Sequence, residues 1–156
     1  MKFVLLNLNT AKEKWSDQAQ ELYLEKINHF IKFEVVGLKT DNLSRSQKEV
    51  RLQKEAESIF KYLKDDDFLV LFDERGKTFN SIDFSKQINS IMNSGKKRVI
   101  FLIGGAFGVS EEVRSRAQLK VSFSAMVFNH LVAELVALEQ IYRAFTIIKN
   151  LPYHNV

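Results

Sequence analysis

The sequence contains no cysteine, and this absence excludes disulfide bonds, thiolate metal ligands and catalytic thiols. It contains a single proline, Pro152, near its end, where proline would stop a final helix. No apolar run approaches the length of about 18 residues that a membrane-spanning helix needs. The apolar N-terminal segment lacks a small-residue cleavage site, so it predicts a first strand rather than a signal peptide. These absences predict a cytoplasmic protein without a membrane anchor.

What is present is enough to build a core. The chain has 156 residues, of which 46% are hydrophobic and 13 are phenylalanine. This length and composition predict one domain, residues 1–156, that folds without disulfides or metals. The net charge of +4 suits an anionic partner, but many proteins that bind no nucleic acid have a similar charge.

Apolar runs alternate with amphipathic segments along the chain, which predicts an α/β fold: a parallel sheet of five to six strands flanked by helices. Strands are predicted over residues 2–8, 33–39, 68–73, 98–103 and 120–124. Helices are predicted over residues 17–30, 42–63, 84–92, 111–116 and 129–149, with Ser44 as a candidate N-cap of the second. Residues 74–77 are predicted to form a turn.

Ligands of open parallel sheets bind at the carboxyl ends of the strands, which directs attention to three loops: residues 73–77, 104–108 and 124–129. The second loop, GGAFG, allows backbone to approach a ligand closely and leads into a helix, where an anion is favoured. It matches neither the dinucleotide fingerprint nor the P-loop. A tight strand-to-helix turn that binds nothing is the alternative interpretation.

The C-terminal segment 139–154, EQIYRAFTIIKNLPYH, predicts a helix followed by a polar, aromatic tail. Glu139, Tyr142 and Arg143 have an alternative interpretation as a solvated helix face. The tail residues Tyr153 and His154 are unexpected in a terminus without a function.

Taken together, these segments resemble a known family. DERGK at residues 73–77, GGAFG after the fourth strand, VSFSAM after the fifth, an isolated His130, EQIYRAF and a terminal PYH are similar to the RlmH-type methyltransferases. These are small SPOUT enzymes that methylate N3 of a pseudouridine in large-subunit ribosomal RNA. The resemblance extends over essentially the whole chain and includes the order of its elements.

The resemblance implies a SPOUT-like C-terminal trefoil knot, a homodimer that uses the final helix, and S-adenosyl-L-methionine as cofactor. It implies a 23S rRNA substrate within the assembled ribosome, and neither a metal nor a membrane. Carried over by motif, the cofactor-binding residues would be Phe72, Gly104, Gly105, Gly108, Ser122, Phe123, Ser124, Ala125, Met126 and Val127. The loop that begins at Ser122 would enclose the adenine through backbone groups.

The catalytic candidates are His154, Tyr153 and Arg143, with His130 as a further possibility. The acceptor nitrogen of a uracil-type ring must lose a proton, which a histidine can accept and a nearby cation can favour. Each candidate has an alternative role. His130 could cap the last helix, Arg143 could hold the dimer or the tail through carboxylates, and His154 could belong to a frayed end.

The sequence departs from the family pattern at four places. Asn129 replaces a proline and is itself a good N-cap, whereas Glu134 replaces an arginine expected near cofactor and substrate. Asn155 replaces a basic or polar residue, and residues 10–12 replace a Gly-Lys pair. A charge reversal at Glu134 beside the reaction centre could weaken RNA binding or shift the electrostatic task to another cation such as Arg143. It could also mark a degenerate or re-purposed member that binds cofactor or RNA without methylating this target.

A nucleotide-binding reductase is the rival enzyme class, but the sequence lacks a glycine fingerprint after the first strand and an acidic residue at the end of the second. Basic residues near predicted strand ends are candidates for contacts with RNA phosphates: Lys12, Lys14, Lys77, Lys96, Lys97 and Arg98.

Overall fold

The structure is a computed structural model, and it describes residues 1–8, 12–39 and 47–154. Its strands are β1 (Lys2–Asn7), β2 (Lys32–Gly37), β3 (Phe68–Thr78), β4 (Arg98–Ile103) and β5 (Leu119–Ser122). Its helices are α1 (Lys14–Asn28), α2 (Lys48–Tyr62), α3 (Ser81–Met92), α4 (Glu111–Arg116) and α5 (His130–Ile148). The strands form one parallel sheet in the order β2-β1-β4-β3-β5. The predicted α/β fold with a five-stranded parallel sheet is confirmed.

Helices cover both faces of the sheet, as the uniformly apolar central strands predict. Along β3, Val70 and Phe72 point to one face, and Leu69 and Leu71 to the other. The first face packs against α1, α3 and α5, and the second against α2 and α4. Phe101 of β4 is fully buried between two further phenylalanine rings of the first face. The sheet is therefore packed between two apolar clusters, one on each face.

Strand β3 is longer than predicted. It was expected to end at Asp73 and turn, but it continues to Thr78, and both Phe72 and Lys77 pair with Val121 of β5. The residues between them form a large bulge. A Cβ on Gly76 would lie 2.6 Å from the backbone nitrogen of Val121, so this close approach of two chains requires glycine. The predicted turn 74–77 is therefore wrong, because β5 continues to pair with this segment.

Two helices begin earlier than their apolar periodicity predicts. Helix α1 begins at Lys14 because Glu13 and Ser16 form a capping box, and α3 begins at Ser81 because the Asn80 side chain accepts a hydrogen bond from the amide of Asp83 at 2.7 Å. The N-cap predicted at Ser44 and the start of the predicted second helix lie outside the described residues. Among the helices of the described ranges, none is long and apolar enough to cross a membrane.

Candidate active site

A cleft of about 680 Å³ opens at the carboxyl ends of β3, β4 and β5. It is lined by residues of all three predicted loops: 73–75 of the β3 bulge, the glycine loop 104–108, and a segment that includes Phe123, Ser124 and residues 126–128. The volume falls in the range of small-molecule sites. We call this cavity the glycine-loop cleft. The three loops to which the sequence directs attention thus lie around one cavity.

The glycine loop is a closed turn. Gly105 and Gly108 exchange two backbone hydrogen bonds of 3.1 and 2.9 Å, and Gly108 has φ +76°. A Cβ on Gly104 would lie 2.9 Å from the backbone carbonyl of Gly108. The loop is thus the tight strand-to-helix turn of the alternative interpretation, and it also forms one wall of the cleft.

Helix α2 supports this loop from outside the cleft. The Glu55 side chain is buried and accepts a hydrogen bond from Nε of Arg51 at 2.8 Å. A Cβ on Gly105 would lie 2.8 Å from both Glu55 carboxylate oxygens. The guanidinium of Arg51 lies 6.0 Å from the centre of the Phe107 ring, so the same pair also contacts the tip of the loop. Nothing in the sequence indicates this support, because Glu55 belongs to an ordinary charged helix.

Aromatic rings form the floor of the cleft. The ring of Phe72, at the end of the regular part of β3, stacks on Phe123 with centroids 4.5 Å apart, and Phe128 meets Phe123 edge-on at 6.5 Å. The adjacent Met126 and Val127 are 75% and 87% exposed. The floor and rim therefore offer an apolar surface next to the polar backbone of the glycine loop.

The hydroxyls of the segment after β5 shape its backbone. The Ser122 hydroxyl donates to the Ser124 carbonyl at 3.1 Å, and the Ser124 hydroxyl accepts from the Met126 amide at 3.0 Å. Ser124 lines the cleft, whereas Ser122 is buried and lines a neighbouring pocket with Phe123. Ala125 is not among the lining residues. Eight of the ten predicted cofactor-binding residues thus line the glycine-loop cleft, and the other two lie in the backbone segment that forms it.

A buried ion pair forms another part of the cleft lining. Arg114 of α4 and Asp73 of the β3 bulge lie within ion-pair distance, and their side chains are only 12% and 6% exposed. Arg75 lies 3.7 Å from the same carboxylate and 3.2 Å from Glu111. The sequence drew attention to residues 73–77, but not to Arg114, since nothing in a short charged helix marks one arginine as buried.

His130 is the first residue of α5 and lines the cleft. It does not cap the helix; the side chain of Asn129 does, accepting from the amide of Leu131 at 3.0 Å. Burial lowers the pKa of His130, and its Nε2 atom is buried without a hydrogen-bond partner in the described part of the chain. The lowered pKa favours the neutral imidazole at this end of the cleft.

The C-terminal tail folds back along α5. The helix ends in a Schellman motif: Asn150 has φ +53°, and the amide of Leu151 donates to the carbonyl of Thr146 at 2.8 Å, with Pro152 following. This turn brings the ring of Tyr153 within 4.8 Å of the Tyr142 ring in an edge-on arrangement. The tail is therefore anchored on the helix that precedes it.

Arg143 lies at the centre of a group of side chains that also includes Glu139, Tyr153 and His154, and we call this group the tail cluster. Its Nε donates to Glu139 at 3.0 Å, its guanidinium lies 4.7 Å from the Tyr153 ring centre, and its Nη1 lies 3.4 Å from Nδ1 of His154. The Tyr153 hydroxyl donates to the same Glu139 oxygen at 3.1 Å. Hydrogen bonding to Glu139 raises the pKa of Arg143, and burial is the largest cause of the raised pKa of Tyr153. The three predicted catalytic residues are thus brought together, in the tail-holding arrangement that was one alternative for Arg143.

One chain does not bring this tail cluster to its own glycine-loop cleft. None of its members lines the cleft. His130 does, and Arg143 follows it along α5 by about 20 Å at the usual helical rise. The cleft and the tail cluster are separate features of the fold.

Glu134 also differs from expectation. It does not line the glycine-loop cleft but a second pocket, at the carboxyl ends of β1 and β2, where it accepts hydrogen bonds of 2.8 Å from Asn7 and from Gln20. Burial raises its pKa, and the negative charge of Asp17 adds to this effect. In one chain α5 therefore directs this side chain away from the glycine-loop cleft, and the charge reversal beside the reaction centre stays a prediction. Asn155 and residues 10–11 lie outside the described part of the chain.

Some of the predicted RNA-contacting residues lie at the opposite edge. Arg98 begins β4 at the amino ends of the strands and is paired with Asp67, its Nε 2.8 Å from Oδ1, while Lys96 lies 3.4 Å from Asp66. They are therefore not candidates for contacts beside the cleft. Lys12 lies at the carboxyl edge, next to the second pocket.

Similarity to known proteins agrees with this arrangement. The family model described as "Predicted SPOUT methyltransferase" matches residues 1–154. A Bdellovibrio bacteriovorus protein named ribosomal RNA large subunit methyltransferase H is 56% identical over the whole of both chains. Proteins of that name from Christiangramia forsetii and Clostridium kluyveri are 43% and 34% identical, each aligned with 99% of this chain and with 99% and 100% of their own length. Family membership implies a methyl donor. Within the described ranges no group of three or more histidine, aspartate or glutamate side chains could hold a metal ion. The chain belongs to the SPOUT methyltransferase family.

Proposed function

We propose that this protein transfers a methyl group from S-adenosyl-L-methionine to N3 of a pseudouridine in 23S ribosomal RNA within the assembled ribosome. The observation that carries the proposal is the glycine-loop cleft, formed where the family motifs meet at the carboxyl edge of the sheet. The names of the full-length relatives supply the substrate class. A single SPOUT methyltransferase domain, residues 1–156, working in the cytoplasm and containing the trefoil knot of its family, is part of the same proposal.

The residues of the cleft fit this cofactor. Phe72, Phe123 and Met126 offer an apolar surface for the adenine, and the backbone of the glycine loop offers hydrogen-bonding groups without side chains in the way. The buried Nε2 of His130 has no partner among the described residues, so a polar group of a ligand that reached it from the cleft would satisfy it. When bound, the cofactor supplies an electrophilic methyl group on a sulfonium. The protein contributes mainly by fixing the acceptor nitrogen in line with that methyl group.

The acceptor nitrogen must also lose its proton. His154 is the proposed base, since an imidazole nitrogen can accept a proton, and Arg143 is the proposed cation that favours the anionic ring. Tyr153 positions both through its stacking on the guanidinium and its hydrogen bond to Glu139. Because the tail cluster lies far from the cleft of its own chain, we propose that a homodimer supplies it to the cleft of the other copy. The exposed apolar residues Met126 and Val127 suit burial in such an interface.

The alternative, a family member without methyl transfer, is not favoured. Its main support was a charge reversal at the reaction centre, and Glu134 lies in a different pocket. The decisive experiment is transfer of labelled methyl from S-adenosyl-L-methionine to ribosomes that lack the modification, followed by nucleoside analysis. We expect N3-methylpseudouridine. Cofactor binding without any methyl transfer to these ribosomes would refute the proposed activity.

A mixed dimer tests whether the site is shared. One copy carries Gly104→Trp, which blocks the cleft, and the other copy ends at Leu151, which removes Tyr153 and His154. We expect each variant alone to be inactive and their random mixture to recover about a quarter of the wild-type activity, because half the dimers then hold one complete site. A mixture as inactive as its components would contradict a shared site and place the chemistry within one chain.

A further inference from the structure

The second pocket has a volume of about 390 Å³ and lies between α1 and α5, at the carboxyl ends of β1 and β2. We call it the α1–α5 pocket. The first turns of α5 separate it from the glycine-loop cleft: His130 and Ala133 line the cleft, whereas Leu131 and Glu134 line the pocket. His130 and Glu134 are about 6 Å apart along the helix axis. Any molecule long enough to cross one helix can therefore occupy both cavities.

The polar floor of the pocket combines the Glu134 carboxylate with the side-chain amides of Asn7 and Gln20. The side-chain amides of Asn7 and Gln20 both donate to Glu134, at 2.8 Å each. Asn7 is 4% exposed, and its Oδ1 has no hydrogen-bond partner among the described residues. Asp17 adds a second carboxylate to the lining. A buried acceptor without a donor is costly, so this floor is suited to a ligand that presents N–H groups.

The walls and the mouth of the pocket specify the rest of the ligand. Apolar side chains of β2 and α5, such as Val35 and Leu135, form the walls, which suits a flat ring. Lys12 and Lys39 complete the lining, and both side chains are exposed. Their ammonium groups favour a negative charge on the ligand. A nucleotide combines the features that this lining would bind, namely a flat ring with N–H donors and a phosphate.

We propose that the α1–α5 pocket binds a second nucleotide of the substrate RNA, whose base donates hydrogen bonds to Glu134 and Asn7 and whose phosphate contacts Lys12 and Lys39. This inference rests on the proposed function. Guanine fits best, because its N1–H and N2 amino group form a continuous donor edge, and RNA-binding proteins commonly bind bases that are splayed out of the strand. The pocket thereby selects the sequence beside the methylated nucleotide.

The test is a titration of the whole, isotope-labelled protein with guanosine 5′-monophosphate and, separately, uridine 5′-monophosphate. The side-chain amide signals of Asn7 and Gln20 report on the pocket directly. We expect both to shift with the guanine nucleotide, and the Glu134→Gln variant to bind it about tenfold more weakly, because one acceptor becomes a donor. Glu21→Gln removes the same charge from an exposed position of α1 and is expected to bind as the unmodified protein does.

A second variant does not disturb the buried floor. Lys39 is exposed, so Lys39→Ala is expected to fold normally, to weaken binding of the nucleotide and to leave binding of phosphate-free guanosine unchanged. Equal binding of the guanine nucleotide by Glu134→Gln and Glu21→Gln, or shifts confined to signals outside the pocket, would overturn the inference. Neither measurement needs methyl transfer, so a failure here is distinguishable from a failure of the proposed activity, which the ribosome assay detects.

Discussion

Replacing Gly105 by alanine tests the support that α2 gives to the glycine loop. The new Cβ would lie 2.8 Å from both carboxylate oxygens of Glu55, a separation that forces either the loop or the carboxylate to move. Glu55 is 2% exposed and bonded to Arg51, so a movement of its carboxylate would disturb buried packing and this hydrogen bond. Overpacking of this kind costs about 1–3 kcal/mol. If the loop moves, the free energy of cofactor binding is weakened by this amount, and the affinity for S-adenosyl-L-methionine falls roughly 5- to 150-fold.

Isothermal titration with the cofactor measures this loss, and a double variant identifies its cause. Glu55→Ala removes the atoms that the new methyl group would meet, so it is expected to restore affinity to Gly105→Ala. It is not expected to rescue Gly104→Ala, whose Cβ would meet the backbone of the loop itself at 2.9 Å. Gly95→Ala is a control for a strained glycine remote from the cleft, with φ +76° and no atom near its Cβ. Unchanged affinity in Gly105→Ala, or equal rescue of both variants, would refute this account.

Three further predictions concern the other parts of the site. Burial lowers the pKa of His130, so as the pH falls its imidazole is protonated earlier in the unfolded chain than in the folded protein. The free energy of unfolding should therefore fall as the pH drops below about 6.5. Urea unfolding should show a smaller fall in this free energy for His130→Gln. Asp73→Asn breaks the buried pair with Arg114 and should cost about 3 kcal/mol of unfolding free energy, whereas Glu111→Gln, at an exposed partner, should cost less than about 1 kcal/mol. A smaller loss in Asp73→Asn than in Glu111→Gln would contradict this ranking. Tyr153→Phe removes the hydrogen bond from the Tyr153 hydroxyl to Glu139 that anchors the tail. It should increase amide hydrogen exchange in the tail and lower kcat on ribosomes without changing cofactor affinity. Unchanged amide exchange would argue against an anchored tail.

The fold was predictable because its signals are local. Uniformly apolar runs such as 98–103 coincide with buried central strands, and the observed strand matches in both bounds. Errors occur where pairing or capping decides a boundary. The extension of β3 to Thr78 depends on its pairing with β5, some 40 residues later, and the early start of α3 depends on one asparagine side chain. Periodicity carries no information on either contact.

The site was predictable in part, for a similar reason. The rule that loops at the carboxyl ends of parallel strands meet at one edge placed the glycine loop and Phe72 in one cleft. Glu55 and Arg114 were missed because their roles depend on burial by distant elements, and their sequence neighbours resemble any charged helix. The sequence also did not predict that the tail cluster lies far from the cleft. That separation follows only from the structure, which places His130, at the start of α5, in the cleft lining.

Under the two proposals, Glu134 belongs to the pocket that binds a second nucleotide and not to the cleft that binds the cofactor. In the RlmH-type pattern this position is an arginine, and a charge reversal in the cleft itself would change the electrostatics of proton loss. Here the side chain lines the α1–α5 pocket, so under the proposed function the substitution leaves the residues that line the glycine-loop cleft unchanged. An arginine at the same place would fill the pocket with donors and favour a base edge rich in acceptors. The residue at this position is therefore expected to change with the RNA sequence beside the target, while the glycine loop and the tail cluster stay constant.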